Sequence, residues 1–321
     1  MRTKDLIAKR MRREKAHQRK ERNNKIETPK QQLQKGELDY TIPEGFSEAV
    51  LKEVKKLPQT TISQTEIMRR RDMREVLTFT IDPDEAKDFD DALSFQRLDN
   101  GCYQIGIHIA DVTHYVEEQT ALDEEAYRRG TSIYLVDKVI PMLPERLSNE
   151  LCSLRPNEDK LCMSVIVEMD EEAKVVKHKM CRTVIRSNYR LTYRQAQDLL
   201  EQDDSHNLSL EKEQLAHAIK QLNQLSKVLR ANRFRQGAIN FEAPEVHFRL
   251  DDTGEPIEIF FHKSYDSNHL IEEFMLLANR IVATEIGKKN KTKEGENTDK
   301  YPFVYRVHAN PDPEKLSKLA T

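Results

Sequence analysis

Between Thr80 and Asp91 the chain reads Thr-Ile-Asp-Pro-Asp-Glu-Ala-Lys-Asp-Phe-Asp-Asp, with six acidic residues in ten positions directly after an apolar run. Like charges at that density are costly. Two carboxylates 4 Å apart repel by about 4 kcal/mol at an effective dielectric near 20, so several that converge need a cation or a proton. Hard divalent cations with oxygen ligands meet that need best. Magnesium commonly takes one or two carboxylates, keeps waters and completes its shell with phosphate oxygens. A carboxylate cluster without His or Cys therefore points to phosphoryl chemistry. Two such cations would activate water and stabilise a leaving 3′ oxygen. A solvated acidic loop without a ligand is the plain alternative.

A calcium loop competes for the same residues, because Asp82-Pro-Asp84 opens like an EF-hand. Counting from Asp82, the fifth position is Ala86, the sixth is Lys87 where the turn needs Gly, and the twelfth is Leu93 where a bidentate Glu belongs. That reading fails.

The elements around the acidic segment are those of a sheet with helices. Val76–Ile81 is apolar and β-branched, Ala92–Leu98 alternates, and Cys102–Ala110 alternates again after the Asn100-Gly101 turn dipeptide. Helices are expected at 46–56, 121–129, 192–202, 209–235 and 267–286, and strands at 161–169, 174–188, 245–250, 256–262 and 303–308. The apolar residues at 215, 219, 222, 225 and 229 fall at helical spacing and belong to a core rather than a cofactor site. This pattern predicts an α+β fold with a mixed, mostly antiparallel sheet and flanking helices.

Composition bounds the rest. The 321 residues are 37% hydrophobic and 33% charged, with 9 Gly and no Trp, enough to build a core and unlike collagen-like or membrane chains. No apolar run approaches the roughly 18 residues that span a bilayer, and no secretory leader opens the chain, so a cytoplasmic location is expected. Cys102, Cys152, Cys162 and Cys181 are widely spaced without a C-x-x-C pair, which predicts buried reduced thiols rather than zinc or disulfides. Charge is uneven: residues 1–35 carry 13 basic and 4 acidic residues, a balance of +9, which leaves about −12 for the remaining 286. Residues 1–40 read as a poorly ordered basic arm that either neutralises phosphates or is simply solvated. Residues 41–321 read as the folded part.

Longer stretches carry a resemblance. TFTIDPDEAKDFDDALS (78–94), IGIHIADVTHYV (105–116), GTSIYLVDKVIPMLPERLSNELCSLRPNEDKLCMSV (130–165), QGAINFEAPEV (236–246), HLIEEFMLLANRIVA (269–283) and YRVHANPDPEKL (305–316) run in order along the chain. Over roughly residues 43–321 the sequence resembles the ribonuclease II/ribonuclease R (RNB) exoribonucleases, most of all their bacterial ribonuclease R branch. The resemblance implies an RNB-type catalytic domain that hydrolyses single-stranded RNA from its 3′ end to 5′-mononucleotides with Mg²⁺. Residue by residue, it implies Asp82, Asp88 and Asp91 as metal ligands and Asp90 as the aspartate on which cleavage depends. Tyr134 matches the aromatic that stacks on the 3′-terminal base; stacking tolerates any base because every base has a π-face. Tyr193 and Glu272 or Glu273 fall where the family contacts RNA. Ribosome-associated or RNA-decay factors are the implied partners.

The resemblance also implies an incomplete domain. A Thr-Ser-Pro-Ile-Arg-like segment that brings an arginine near the scissile phosphate, an S1-type domain and OB-type cold-shock domains are expected outside these 321 residues. A non-catalytic RNA-binding pseudoenzyme or inactive fragment is therefore the alternative function, and a generic metal-dependent phosphoesterase a third. His108 alternates with Ile107 and Ile109 and faces either the acidic cluster or a structural partner near the sheet. Asp111 and His114 either lie near an RNA channel or end the strand. His308 has no assigned role.

Overall fold

The computed structural model describes residues 45–58, 62–136, 138–202, 209–239, 246–251, 256–261, 264–288 and 311–319. The basic arm at 1–40 and the strand expected at 303–308 lie outside the described residues. The chain divides between Gly45 and Phe46 into two units, and the second holds the sheet and its helices.

The helices are α1 (Glu48–Lys56), α2 (Gln64–Met68), α3 (Ala121–Arg129), α4 (Tyr193–Glu201), α5 (Leu210–Arg235), α6 (Asp266–Lys288) and α7 (Pro313–Leu319). The strands are β1 (Arg71–Asp72), β2 (Thr78–Asp82), β3 (Asp91–Arg97), β4 (Tyr103–Ala110), β5 (Ile133–Tyr134), β6 (Val139–Ile140), β7 (Asp159–Met169), β8 (Val175–Arg186), β9 (Tyr189–Thr192), β10 (Val246–Leu250) and β11 (Pro256–Phe261). Side-chain caps fix several boundaries. The Ser47 and Thr120 hydroxyls accept from Val50 N and Asp123 N, and Thr192 with Gln195 forms a capping box that starts α4. Gly130 ends α3 at φ 72°, a left-handed conformation that glycine adopts without a Cβ penalty.

Seven strands form one sheet in the order β1-β8-β7-β4-β3-β2-β9. The inner pairings are antiparallel, and both edge pairings, β1 with β8 and β2 with β9, are parallel. Both faces are covered by packed residues. On one face Phe79, Leu93, Ile105, Ile107 and Val167 pack with Leu215, Ile219 and Leu222 of α5 and Leu270, Phe274 and Leu277 of α6. On the other, Ala92, Ala110, Cys162 and Ile166 pack with Val50 and Val54 of α1, Leu122 of α3, and Leu147 and Leu151 from a π-helical turn, Arg146–Leu151.

That second layer decides between the two placements open to His108. His108 is fully buried under it and does not face the acidic cluster. Its Nδ1 lies 2.7 Å from Ser164 Oγ and its Nε2 2.9 Å from Ser94 Oγ, while Ser164 Oγ sits 2.6 Å from Thr183 Oγ1. This polar chain crosses β3, β4, β7 and β8 inside the core. Burial, with the neighbouring Arg71 charge, holds the His108 imidazole down at about 3, so it is neutral. Gly106 is required beside it, because a Cβ there would overlap Ser94 Oγ and the imidazole. All four cysteines are free; Cys152 and Cys162 are buried as expected, whereas Cys102 and Cys181 are only partly so.

Asp111 and His114 are also placed structurally. Arg70, with no side-chain exposure, reaches Glu66 Oε1 at 2.7 Å and Asp111 Oδ2 at 2.8 Å, and Asp111 is equally buried. Arg182 Nε stands 3.9 Å from the same Asp111 oxygen, and His114 Nδ1 3.8 Å from Glu66. The Arg70–Asp111 pair ties the segment before β1 to the end of β4. Burial raises the Asp111 carboxyl, but the Thr113 hydroxyl and the Arg70 guanidinium outweigh it and hold it below the ordinary range.

Arg70→Met leaves Asp111 buried without its cation and should cost about 3–5 kcal/mol at neutral pH, measured by urea denaturation. An Asp with a depressed folded pKa contributes stability above its unfolded pKa and loses it as pH falls through the folded one. The gap between wild type and variant should therefore narrow as pH drops below about 4.

Candidate active site

The acidic segment is the β2–β3 connection. Asp82 ends β2 and Asp91 begins β3, so the sheet fixes both ends of the loop. β2 pairs with β3 at Thr78↔Ser94 and Phe79↔Leu93, while its far end, through Asp82, pairs with β9.

Backbone hydrogen bonds hold the loop between those ends. Ser153, wholly buried, donates from Oγ to Lys87 O at 2.8 Å and accepts from Phe89 N at 3.0 Å, so one hydroxyl grips the backbone on either side of Asp88. Leu154 N donates to Phe89 O at 2.8 Å and Ala110 N to Asp90 O at 2.9 Å. Phe89 is buried in the second core layer, which turns its neighbours Asp88 and Asp90 outward, as the spacing predicts for extended backbone. Asp84 and Glu85 are exposed, also as expected.

The carboxylates sense one another. Burial pushes Asp82 up to about 6, with Asp90 and Asp88 adding repulsion and the Arg190 charge opposing it. Burial pushes Asp91 up to about 7, with Asp82 and Asp90 contributing. Asp90, the most exposed of the four, is also raised, by desolvation and then by Asp88. Asp82 is only 7% exposed, and its Oδ2 has no hydrogen-bond partner among the described residues. The Thr80 hydroxyl is near enough to favour the charged form, yet its Oγ1 also lacks a hydrogen bond of normal geometry.

Two tyrosines flank the cluster. Tyr134, 69% exposed on the β5–β6 hairpin, has its phenol raised by partial burial and by the charges of Asp88 and Asp90. Tyr193, the first residue of α4, is pushed up to about 12 by burial and by Asp91 and Asp82. The structure thus brings together Asp82, Asp88, Asp90, Asp91, Tyr134 and Tyr193. Glu272 and Glu273 are engaged differently. They meet Arg233 of α5 at 2.9 Å and 3.1 Å, on a helix whose Ser267 donates to Tyr193 O at 2.8 Å. Their partners lie on α5 and α6, beyond the contact with Tyr193.

Among the described residues no three His, Cys, Asp or Glu side chains converge as a ready-made metal cage. Magnesium rarely uses one, since waters and phosphate oxygens fill most of its shell. An all-oxygen donor set with a buried, unpartnered carboxylate oxygen and mutually raised carboxyls fits such a cation. Ser153 and Arg190 carry no signal in the sequence. Ser153 lies 64 positions from Phe89 and acts through backbone contacts, which residue type alone does not announce.

The comparisons bear on the family and the fold. The sequence profile described as the RNB domain matches residues 70–321. Ribonuclease R of Aquifex aeolicus is 41% identical over 282 residues, covering 87% of this chain and 38% of the relative. DIS3-like exonuclease 2 of Schizosaccharomyces pombe is 42% identical over 266 residues, covering 80% of this chain and 28% of the relative. The structure of Mycoplasma genitalium RNase R in complex with ribose-methylated single-stranded RNA superposes with a TM-score of 0.76 at 29% identity, over 87% of this chain and 41% of that one. The chain thus spans well under half the length of these relatives.

Ser153→Ala removes both backbone grips around Asp88 and should cost about 1–3 kcal/mol by chemical denaturation. Unchanged stability would mean that the loop holds its shape without that hydroxyl.

Proposed function

The chain belongs to the RNB-domain family, and from that premise we propose that it carries the cation-binding part of a 3′→5′ exoribonuclease site acting on single-stranded RNA in the cytoplasm. The observation that carries this reading is the crowding of Asp82, Asp90 and Asp91 beside an exposed Tyr134. Such crowding is stable when a divalent cation joins it, and an RNA 3′ end supplies the phosphate that the cation and the aromatic ring would share.

Asp82, Asp88 and Asp91 are the residues that would hold Mg²⁺. When bound, the ion supplies Lewis-acid stabilisation of the charge that develops on the phosphate. Asp90 presents the most exposed carboxylate of the cluster and is the aspartate on which cleavage would depend. Tyr134 offers a flat face for the terminal base, beside the charges of Asp88 and Asp90. Tyr193, half-buried near Asp91 and Asp82, and Glu272 and Glu273, ion-paired with Arg233 of α5, are the further RNA contacts this reading carries. RNA-decay or ribosome-associated factors are the partners this reading implies. No helix among the described residues is long and apolar enough to cross a membrane.

The test is stepwise shortening of a 5′-labelled single-stranded RNA, with 5′-mononucleotides as products, in Mg²⁺ and in chelator. Electrostatic groups aimed at a reacting centre carry about 10²–10³ in rate, so Asp90→Asn should lose at least about 100-fold. Tyr134→Ala should weaken 3′-end binding by about 1–3 kcal/mol. Chelator-resistant cleavage, cleavage from the 5′ end, or wild-type rates in Asp90→Asn would overturn the reading.

A further inference from the structure

Arg190 touches the acidic loop without taking part in the cleavage chemistry. On edge strand β9 it stands level with Thr80 in the parallel β2–β9 register, two residues before Asp82. From there its Nη2 donates to Pro83 O at 2.6 Å and to Asp84 O at 3.0 Å. The same guanidinium lies over the Phe89 ring, 5.4 Å from its centroid. One side chain therefore touches the first two residues after β2 and the buried ring that seats the loop before β3.

We propose that Arg190 is a positioning residue for the cation site, a brace across the two ends of the loop that sets the placement of Asp82, Asp88 and Asp90. This rests on the cation reading above. A positive charge beside a cation site lowers that site's affinity by plain Coulomb repulsion, so its presence there calls for a compensating role. The geometry supplies one. Both donated hydrogen bonds go to backbone carbonyls, which fix the course of the chain, and the planar face rests on the residue that the loop buries. Both bonds leave from the one Nη2, and what lysine lacks is the planar guanidinium that lies over Phe89. The Arg190 Nε is buried without a hydrogen-bond partner, a cost consistent with a side chain held by its other contacts. Outer contacts that orient ligating groups typically carry about 10–100-fold in metal affinity.

The two roles available to Arg190 predict opposite signs. If it acts only as a counter-charge, removing the charge should tighten cation binding. If it is a brace, removing it should weaken binding even though repulsion falls. The experiment measures Mn²⁺ affinity by electron paramagnetic resonance, and amide hydrogen exchange over residues 84–90, in the 321-residue chain and its Arg190→Met and Arg190→Lys variants. The brace predicts about 10-fold weaker Mn²⁺ binding in Arg190→Met, with faster exchange confined to the loop. Arg190→Lys, which keeps the charge and loses the planar guanidinium over Phe89, should also bind more weakly, and it decides the matter if Arg190→Met does not fold. Wild-type affinity in Arg190→Lys, or tighter binding in Arg190→Met, overturns the brace while leaving the cation site standing. A wild-type chain that binds no Mn²⁺ overturns both.

Discussion

Asp82 ends one strand and Asp91 begins its neighbour, so the sheet brings together two carboxylates that would separate in water. Desolvation raises both, and Asp90 adds to the strain on each. The surrounding structure opposes that repulsion through the backbone rather than by neutralising the charges. Ser153, Leu154 and Ala110 bind the loop's peptide groups, Phe89 is sunk into the core, and Arg190 binds carbonyls. The loop is thus held in a shape that its own charges disfavour, and the carboxylate oxygens stay available for a ligand. An acidic loop whose only function was solubility would be free to spread.

The scaffold serves the same end. Two packed layers cover the sheet, so its end at Asp82 and Asp91 is backed by a core on both faces. The polar chain of Ser94, His108, Ser164 and Thr183 crosses four strands within one layer, and the Arg70–Asp111 pair locks the end of β4, whose Ala110 N–H binds Asp90 O. Buried polar networks that are fully bonded add rigidity to the core around them.

Much of this is legible in the sequence, and the gaps have physical causes. The strand alternation at 103–110 and the helix at 121–129 are local signals, reinforced by the Thr120 cap and by Gly130, and the structure follows them. The four-residue β9 carries no local signal, because a short parallel strand has its partner far away in sequence, Tyr189 standing level with Phe79 of β2. Alternation places His108 opposite Ile107 but does not reveal that a second layer covers that face. The acidic residues announce themselves by crowding, and Tyr134 by a motif. Ser153 and Arg190 give no such sign, since a serine or arginine that binds backbone looks like any other until the chain is folded. The ion pairs of Glu272 and Glu273 with α5 likewise depend on how two helices dock.

Thermal melting of the chain and its Asp91→Asn variant, with and without Mg²⁺, tests most directly whether crowded carboxylates make this a cation site. Without the ion, removing one charge should relieve repulsion, so Asp91→Asn should melt higher than the wild type. Added Mg²⁺ should raise the melting temperature of the wild type and leave the variant nearly unchanged, since only a state that binds the ion gains from it. A variant that melts lower without the ion, or an equal Mg²⁺ effect on both proteins, would refute a cation site built on this crowding.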